Sequence, residues 1–260
     1  VGARKLPVSV FVIARNEADR IGRTLDAVSW ADQIVVVDSG STDDTVAIAE
    51  AHGAEVTFRE WEGYGPQKRF AESLCRHPWL LNVDADEVVT PELAREIEGI
   101  VAGGAAPGAF RVRILNVYPG DDRPRWLAND YNVVRFYHAE AGSYRDHALF
   151  DRVELAEGID PKRLRGPIHH YPFLSLHAWL EKENAYTTFQ AGRARRRNRF
   201  ALLLRLPFEA PLVFLKTYFL RLHITGGWKG FVFALTVGFV RMLRLAKMLE
   251  RADLEGAEKK

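Results

Sequence analysis

The chain has 260 residues, 47% apolar and 27% charged, as in ordinary globular proteins of one large domain or one domain with an appendage. A single cysteine, Cys75, excludes an internal disulfide and favours a reducing compartment. The net charge of +2 hides an asymmetry: from Gly192 onward 15 Lys and Arg face 5 Asp and Glu, while the remainder carries 21 against 29.

The first hundred residues alternate between two periodicities. "VSVFVI" (8–13) reads as a buried strand, too short for a signal peptide core. "EADRIGRTLDAVSW" (17–30) has apolar residues spaced by four and three, which predicts a helix. "QIVVVD" (33–38) is a second strand. "SGSTDDTVAIAEAHG" (39–53) opens on cap residues and ends on glycine, a capped helix in which Asp43 and Asp44 complement the helix dipole. A short strand (54–58), a helix (66–77) and the strand "WLLNVD" (79–84) follow, and Pro91 starts another helix. This order predicts a mostly parallel sheet with helices on both faces.

After the linker "AGGAAPGA" (102–109) the pattern changes. Segments 110–118, 132–138 and 148–155 are β-rich and read as antiparallel additions to the sheet, and 163–173 adds a short strand. From Leu174 the chain reads as helical. The expected division is 1–190, with halves at about 1–105 and 106–190, followed by a basic amphipathic tail, 191–260.

Ligands of parallel α/β sheets bind outside the carboxyl ends of the strands. Two strands here end in acids at such ends, at Asp38 and Asp84, and Asp86 follows two residues on. Adjacent carboxylates repel unless a cation lies between them; Mg²⁺ or Mn²⁺, with a diphosphate completing the shell, suits oxygen ligands. Capping of the helix at Pro91 is the structural alternative for Asp84–Glu87.

The stretches "VFVIARNEADRI", "IVVVDSGSTDDTVAIA", "WEGYGPQKRFAE" and "WLLNVDADEVVTPEL" together resemble family 2 glycosyltransferases of the GT-A fold over residues 6–190. "WEGYGPQKR" followed by "DADE" is similar to the bacterial branch that adds β-linked sugars to the lipopolysaccharide inner core. The resemblance implies nucleotide-sugar contacts for Arg15, Asn16, Glu17, Asp38, Lys68 and Asp84, with Asp86 as metal ligand. It implies an inverting transfer of a hexose, glucose first, from a UDP-sugar, using Mn²⁺ or Mg²⁺. Relatives in the branch carry a His-Glu pair where this chain has Phe150 and Asp151. Asp151 keeps a carboxylate and is the expected general base; Asp146 and His147 stand nearby as substitutes. The resemblance also places a histidine at position 170, followed by Tyr171, where an imidazole completes the metal shell or contacts the diphosphate. Trp61, Tyr64, Trp126 and Tyr131 are weaker candidates for stacking on sugar or base, and His138, His147 and His177 weaker ones still.

The tail's first apolar run is broken by Arg205, Pro207, Glu209, Pro211 and Lys216, and its second, Gly230–Val240, has eleven residues. Neither matches the roughly twenty apolar residues of a spanning helix. Basic side chains beside Phe, Leu and Trp suit helices lying in an anionic membrane surface, here through 193–250 with Arg193, Arg195, Arg196, Arg197 and Arg199. The expected location is the cytoplasmic face of a bacterial inner membrane, peripheral or monotopic, with a lipid A–core acceptor. An ordinary helical lid or dimer contact is the structural alternative, and an oligomer stays open. No nucleic-acid module is seen. Two rival functions fit parts of the sequence. "NVDADEVV" matches a haloacid-dehalogenase-type phosphatase with Asp84 as nucleophile and "GDD" (120–122) as its later acid motif. A non-catalytic, membrane-bound nucleotide or saccharide binder is the other.

Overall fold

The computed structural model describes residues 5–128, 130–147, 151–194 and 198–257. They form two compact units, Val1–Leu115 with Asp130–His170, and Asn116–Asn129 with Tyr171–Lys260. The division thus falls at 170/171 rather than at 190/191, because the helix after Ser175 packs with the later helices.

The first unit is an eight-stranded mixed sheet in the order β3-β2-β1-β4-β7-β6-β10-β5. Strands β1 (Leu6–Ala14), β2 (Ala31–Asp38), β3 (Glu55–Phe58) and β4 (Trp79–Asn82) are parallel. Helices α1 (Ala18–Asp26), α2 (Thr45–Ala51) and α3 (Tyr64–Ser73) connect them. β5 (Glu87–Val89) and α4 (Pro91–Ala102) follow, then β6 (Ala109–Asn116), β7 (Asp130–His138) and β10 (Lys162–His170). β7 runs antiparallel to both β4 and β6, and β10 antiparallel to β5. The parallel and antiparallel halves are those the sequence predicts, with two differences. The segment at 163–173 is a nine-residue strand inside the main sheet. Among the described residues of the 148–155 segment, Val153–Leu155 form β9, which pairs with β8 (Gly142–Tyr144) in a separate ribbon; 148–150 lie outside the described residues.

Strand alternation divides the core. Val8, Val10, Val12 and Ala14 join one apolar cluster with Ile21, Leu25, Leu93 and Ile97. Phe11 faces the other side, against Ala71, Leu80, Tyr137 and Tyr144. Each fully buried side chain of this size contributes about 1.5–3 kcal/mol. Thr90, not the preceding acids, caps α4: its Oγ1 accepts from Leu93 N at 3.3 Å and donates to Pro167 O at 2.7 Å. The capping alternative for Asp84–Glu87 is thereby removed, since Glu87 already belongs to β5.

The second unit contains α5 (Leu176–Arg193), α6 (Arg199–Leu215) and α7 (Gly227–Ala257), with a π turn (Lys216–Leu220) and a 3-10 turn (His223–Gly226) between α6 and α7. α6 continues through Pro207 and Pro211, so the prolines that break the apolar run in sequence do not break the helix. Among the described residues no helix is long and apolar enough to cross a membrane. Arg125 ties the 116–129 segment to the turns by donating to Leu222 O at 3.0 Å and Arg221 O at 2.9 Å. Asp121 pairs with Lys229 at 2.5 Å inside this unit, so "GDD" does not end a strand as the phosphatase motif requires.

His223 is buried here, with Nδ1 2.6 Å from the Tyr118 hydroxyl and its ring stacked on Phe233. Burial, with Arg125 and Arg221 adding to it, pushes its pKa down to about 4. A group depressed in the folded state contributes stability above its unfolded pKa and loses it as pH falls through the folded one. The second unit is therefore expected to lose about 3 kcal/mol between pH 6.5 and 4 from this group. Thermal melts of the wild type and His223→Gln across that window check it: the wild type should show the steeper acid loss.

Candidate active site

The carboxyl ends of β1, β2 and β4 lie side by side. Ala14 is in register with Asp38, and Phe11 with Asn82. The turn after β1 is fixed by Asn16, whose backbone is left-handed (φ +55°), a conformation Asn tolerates better than most residues. Its N–H donates to Ser41 Oγ at 2.9 Å, and its Oδ1 accepts from Thr42 N at 2.8 Å. Glu17 N donates to Thr45 Oγ1 at 2.7 Å. Asp43 accepts from Thr45 Oγ1 at 2.5 Å and Ala18 N at 3.2 Å, so it joins the starts of α1 and α2 rather than merely complementing a dipole. These bonds hold the carboxylate pull on Asp43 below its ordinary pKa, Thr45 making the largest contribution.

Asp38 is buried and organises the loop that follows it. Its Oδ2 accepts from Gly40 N at 2.8 Å and Ser41 N at 2.9 Å, and its Oδ1 from Ser41 Oγ. Gly40 has φ +86°, which glycine adopts without penalty. Arg15, exposed, follows β1 at the same sheet edge.

Past β4 the acids separate into two environments. Asp84 accepts from Lys68 Nζ at 2.8 Å and Arg135 Nη2 at 2.6 Å. Lys68, on α3, is 1% exposed and also reaches Asp151 Oδ2 at 2.8 Å. One buried ammonium thus bridges residues 16 and 83 positions away in sequence. Burial opposes the Lys68 charge, but Asp84 and Asp151 outweigh it and hold its pKa above the ordinary lysine value. Burial likewise opposes the Asp84 charge, and Arg135 and Lys68 overcome it, keeping Asp84 ionised far below the usual carboxylate range.

Arg135 is a site residue that pattern reading missed. It sits at a bulge in β7: Phe110 pairs with Phe136 and Arg111 with Val134, which leaves Arg135 as the extra residue. Bulges re-aim a side chain, and this one directs the guanidinium onto Asn82, Asp84 and Glu87. The bulge also explains why Val133 and Phe136, three apart, lie against one core cluster while Val134 and Tyr137 lie against the other. The available signal was an arginine inside the apolar strand "NVVRFYH". Glu87, fully buried, accepts from Arg135 Nη2 at 2.8 Å and from Asp84 N at 2.9 Å; burial raises its pKa despite the arginine.

Asp86 lies in the second environment. β10 pairs antiparallel with β5 and sets His170 opposite Glu87, which brings His170 Nε2 within 3.2 Å of Asp86 Oδ2 across 84 residues of sequence. Burial disfavours a charged imidazole, but Asp86 outweighs it and raises the His170 pKa. Arg20, which donates its Nε to Glu17 at 2.7 Å, approaches Asp86 at 3.6 Å. Asp86 and His170 make a pair with the donor types a divalent cation takes. Among the described residues no group of three or more His, Cys, Asp or Glu side chains is arranged to hold a metal. A cation on this pair would draw most of its shell from phosphate and water, the usual habit of Mg²⁺.

The expected site residues Asp84, Lys68 and Asp151 therefore meet in one network, and Asp86 and His170 in a second pair beside it. Asn16, Glu17 and Asp38 shape the neighbouring loops. Phe150 lies outside the described residues, as do Arg195, Arg196 and Arg197. Among the aromatic candidates, exposed Trp61 and Tyr64 form an edge-on pair at 4.9 Å, and Tyr131 is exposed in β7. Trp126 belongs to the second unit. His138 packs edge-on against Trp79, and His177 pairs with Glu181 on α5.

Segment 145–147, ahead of Asp151 in sequence, makes a close backbone approach to α3. A Cβ at Gly65, on the first turn of α3, would lie 2.4 Å from both Arg145 O and His147 O. Gly65→Ala is expected to cost about 1–3 kcal/mol, as overpacking does, and to lower turnover by shifting the 145–147 segment away from Lys68. Denaturant unfolding together with an activity assay checks both; unchanged stability would show that the loop yields without strain.

The model of the family described as "Glycosyl transferase family 2" matches residues 9–151 of this chain. The chain belongs to that family. It is a glycosyltransferase that uses a nucleotide sugar, with a GT-A-like mixed, mainly parallel sheet flanked by helices. An uncharacterised glycosyltransferase of Rickettsia felis is 37% identical over 255 residues, covering 94% of this chain and 89% of its own. The lipopolysaccharide core biosynthesis glycosyltransferase LpsC of Rhizobium meliloti is 28% identical over 256 residues, covering 96% and 95%. Among solved structures, S. aureus TarS (residues 1–349) in complex with UDP is 22% identical, with a TM-score of 0.37 over 45% of this chain and 38% of that one. Membership in the glycosyltransferase family removes the phosphatase reading of Asp84 and the reading of the chain as a non-catalytic binder.

Proposed function

We propose that this glycosyltransferase moves a hexose, glucose first, from a UDP-sugar to a hydroxyl of a lipid-linked saccharide, with inversion at the anomeric carbon. The observation that carries the reading is the set of acids at the carboxyl ends of adjacent parallel strands, completed by a histidine from the antiparallel half. Asp86 and His170 are the residues that would hold a divalent cation, Mn²⁺ or Mg²⁺. When bound, such an ion stabilises negative charge on the departing diphosphate.

The chain's own residues supply the rest. Asp38 and Asn16 hold the loops on which Arg15 and Glu17 meet the nucleoside. Lys68 fixes Asp84 on one side and Asp151 on the other. Asp151 has one carboxylate oxygen bound to Lys68, and nearly half of its side chain is exposed. In this reading it accepts the proton of the acceptor hydroxyl as that oxygen attacks the sugar from the face opposite the diphosphate.

The acceptor reading draws on the name of the Rhizobium relative, which places that protein in lipopolysaccharide core synthesis. A lipid-borne acceptor also suits the second unit, where Phe200, Leu204, Phe208, Leu212 and Trp228 are exposed beside many arginines. In this reading the protein lies peripherally on an anionic membrane face through residues 193–250.

Calorimetric titration of UDP, GDP and ADP, each with and without Mn²⁺, tests the donor site. UDP should bind, binding should need Mn²⁺, and Asp86→Ala should lower the affinity at least about tenfold, since loss of a charged ligand exceeds 1.4 kcal/mol. Mn²⁺-dependent UDP binding by Asp86→Ala at the wild-type affinity would remove Asp86 from the cation site.

A further inference from the structure

The second unit holds a polar cavity with none of the candidate active-site residues in its lining. It has a volume of about 340 Å³, at the small end for ligand sites, and lies between α6 and α7. Arg205, Glu209, Arg241 and Arg244 line it, with Leu245 and Met248 at its apolar side. Three guanidinium groups thus line the cavity with a single carboxylate. Glu209 accepts from Arg205 Nη2 at 2.8 Å and lies 3.6 Å from Arg241 Nε. The Nε of Arg244 is buried and has no hydrogen-bond partner among the described residues. Buried donors are nearly always paired, and an orphan beside two further cations marks a place for an acceptor of negative charge.

We propose that this cavity binds a phosphoryl group. Guanidinium forks match the oxygens of a phosphate monoester or diester, and several at once give the charge-assisted bonds that make such sites tight. An adjoining cavity of about 220 Å³ shares Arg241 and Arg244 and is bordered by Tyr186, Thr187 and Gln190 of α5, which leaves room for what the phosphate carries.

The surroundings point to a lipid as the bearer. Along α6, Phe200, Leu204, Phe208, Leu212 and Leu215 are exposed at spacings of four and three, one continuous apolar stripe. At about 100° per residue, Arg205 lies on the flank between this stripe and the face that buries Leu202. A phosphoryl headgroup in the cavity would sit at the border of that apolar surface, where acyl chains can lie. A soluble phosphate ester shares the headgroup chemistry but not the use of the stripe. The inference rests on the second unit alone and goes beyond the donor-site reading.

The test compares two double variants with the same charge change. Arg241→Gln with Arg244→Gln empties the cavity of two cations; Arg123→Gln with Lys182→Gln removes two exposed ones elsewhere on the same unit, outside 193–250. In one arm, inorganic phosphate is compared with chloride at equal ionic strength for its effect on Tm. In the other, flotation measures binding to phosphatidylcholine vesicles with and without phosphatidic acid. The wild type should gain Tm with phosphate and partition onto the phosphatidic acid vesicles. The cavity variant should lose both, with partitioning down at least about tenfold, while the control variant keeps most of each.

Loss in the phosphate arm with equal vesicle binding would keep the phosphoryl site and make its bearer soluble. Equal losses in both variants, or no response of the wild type in either arm, would overturn the site. Relief of crowded positive charge predicts that the cavity variant folds, and its own melt in chloride verifies that. UDP titration of the same variant should be unchanged, so failure of this site and failure of the donor reading are separable.

Discussion

Arg135→Met is expected to lower stability by about 3–5 kcal/mol, the range for breaking a buried ion pair by removing one partner. Arg135 is 5% exposed and Glu87 is 0% exposed. The arginine donates to Asn82, Asp84 and Glu87 at once. Methionine fills similar volume, so packing changes little, but both carboxylates lose their main cation. Lys68 still pairs with Asp84, whereas Glu87 keeps only the Asp84 N–H among these contacts. The larger share of the cost therefore falls on Glu87. Adding Glu87→Gln to Arg135→Met should recover part of the loss, because a neutral amide needs no counter-charge. Urea unfolding of the wild type, both single variants and the double variant gives the coupling energy. A loss below about 1 kcal/mol in Arg135→Met would mean that Glu87 is already protonated and the network largely neutral.

Asp151→Asn should lower kcat by 10²–10⁴, the usual contribution of a positioned general base, and leave donor affinity nearly unchanged. The amide keeps the shape and an oxygen for Lys68 but cannot take a proton from the acceptor. Loss in kcat with donor KM preserved is the signature of an interaction made only as the reaction proceeds. Asp146→Asn serves as the comparison, because Asp146 is exposed on the preceding loop and keeps its carboxylate a few residues away. If Asp146→Asn loses turnover and Asp151→Asn retains it, the base is Asp146 and Asp151 is a partner of Lys68 only. Steady-state kinetics with a UDP-sugar, at saturating acceptor, decides between them.

The parts of this site that were legible in the sequence are those carried by short-range pattern. "VVVD" and "LNVD" each end a strand in an acid, and a strand's carboxyl end is where a parallel sheet meets its ligand. Pro91 is a local helix-start signal, although the cap before it is Thr90 rather than the acids of 84–87. Asn16, Glu17 and Asp43 are local turn chemistry, although their bonds run between two loops rather than within one helix. The family likeness carried Lys68, Asp151 and His170, which no local pattern singles out.

Local periodicity determined the strands and helices of the first hundred residues, the change to antiparallel strands after the linker, and the helical end of the chain, because side-chain alternation reports the face each element buries. Only the tertiary structure decided that β10 enters the main sheet and sets His170 beside Asp86, that a one-residue bulge turns Arg135 onto Asp84 and Glu87, and that a single buried lysine joins Asp84 to Asp151. Strand pairing is chosen by contacts between residues far apart in sequence, and a bulge is visible only against the partner strand it fails to match. A buried charge is tolerated only where those distant partners converge, and so the network that makes the site is a property of the fold.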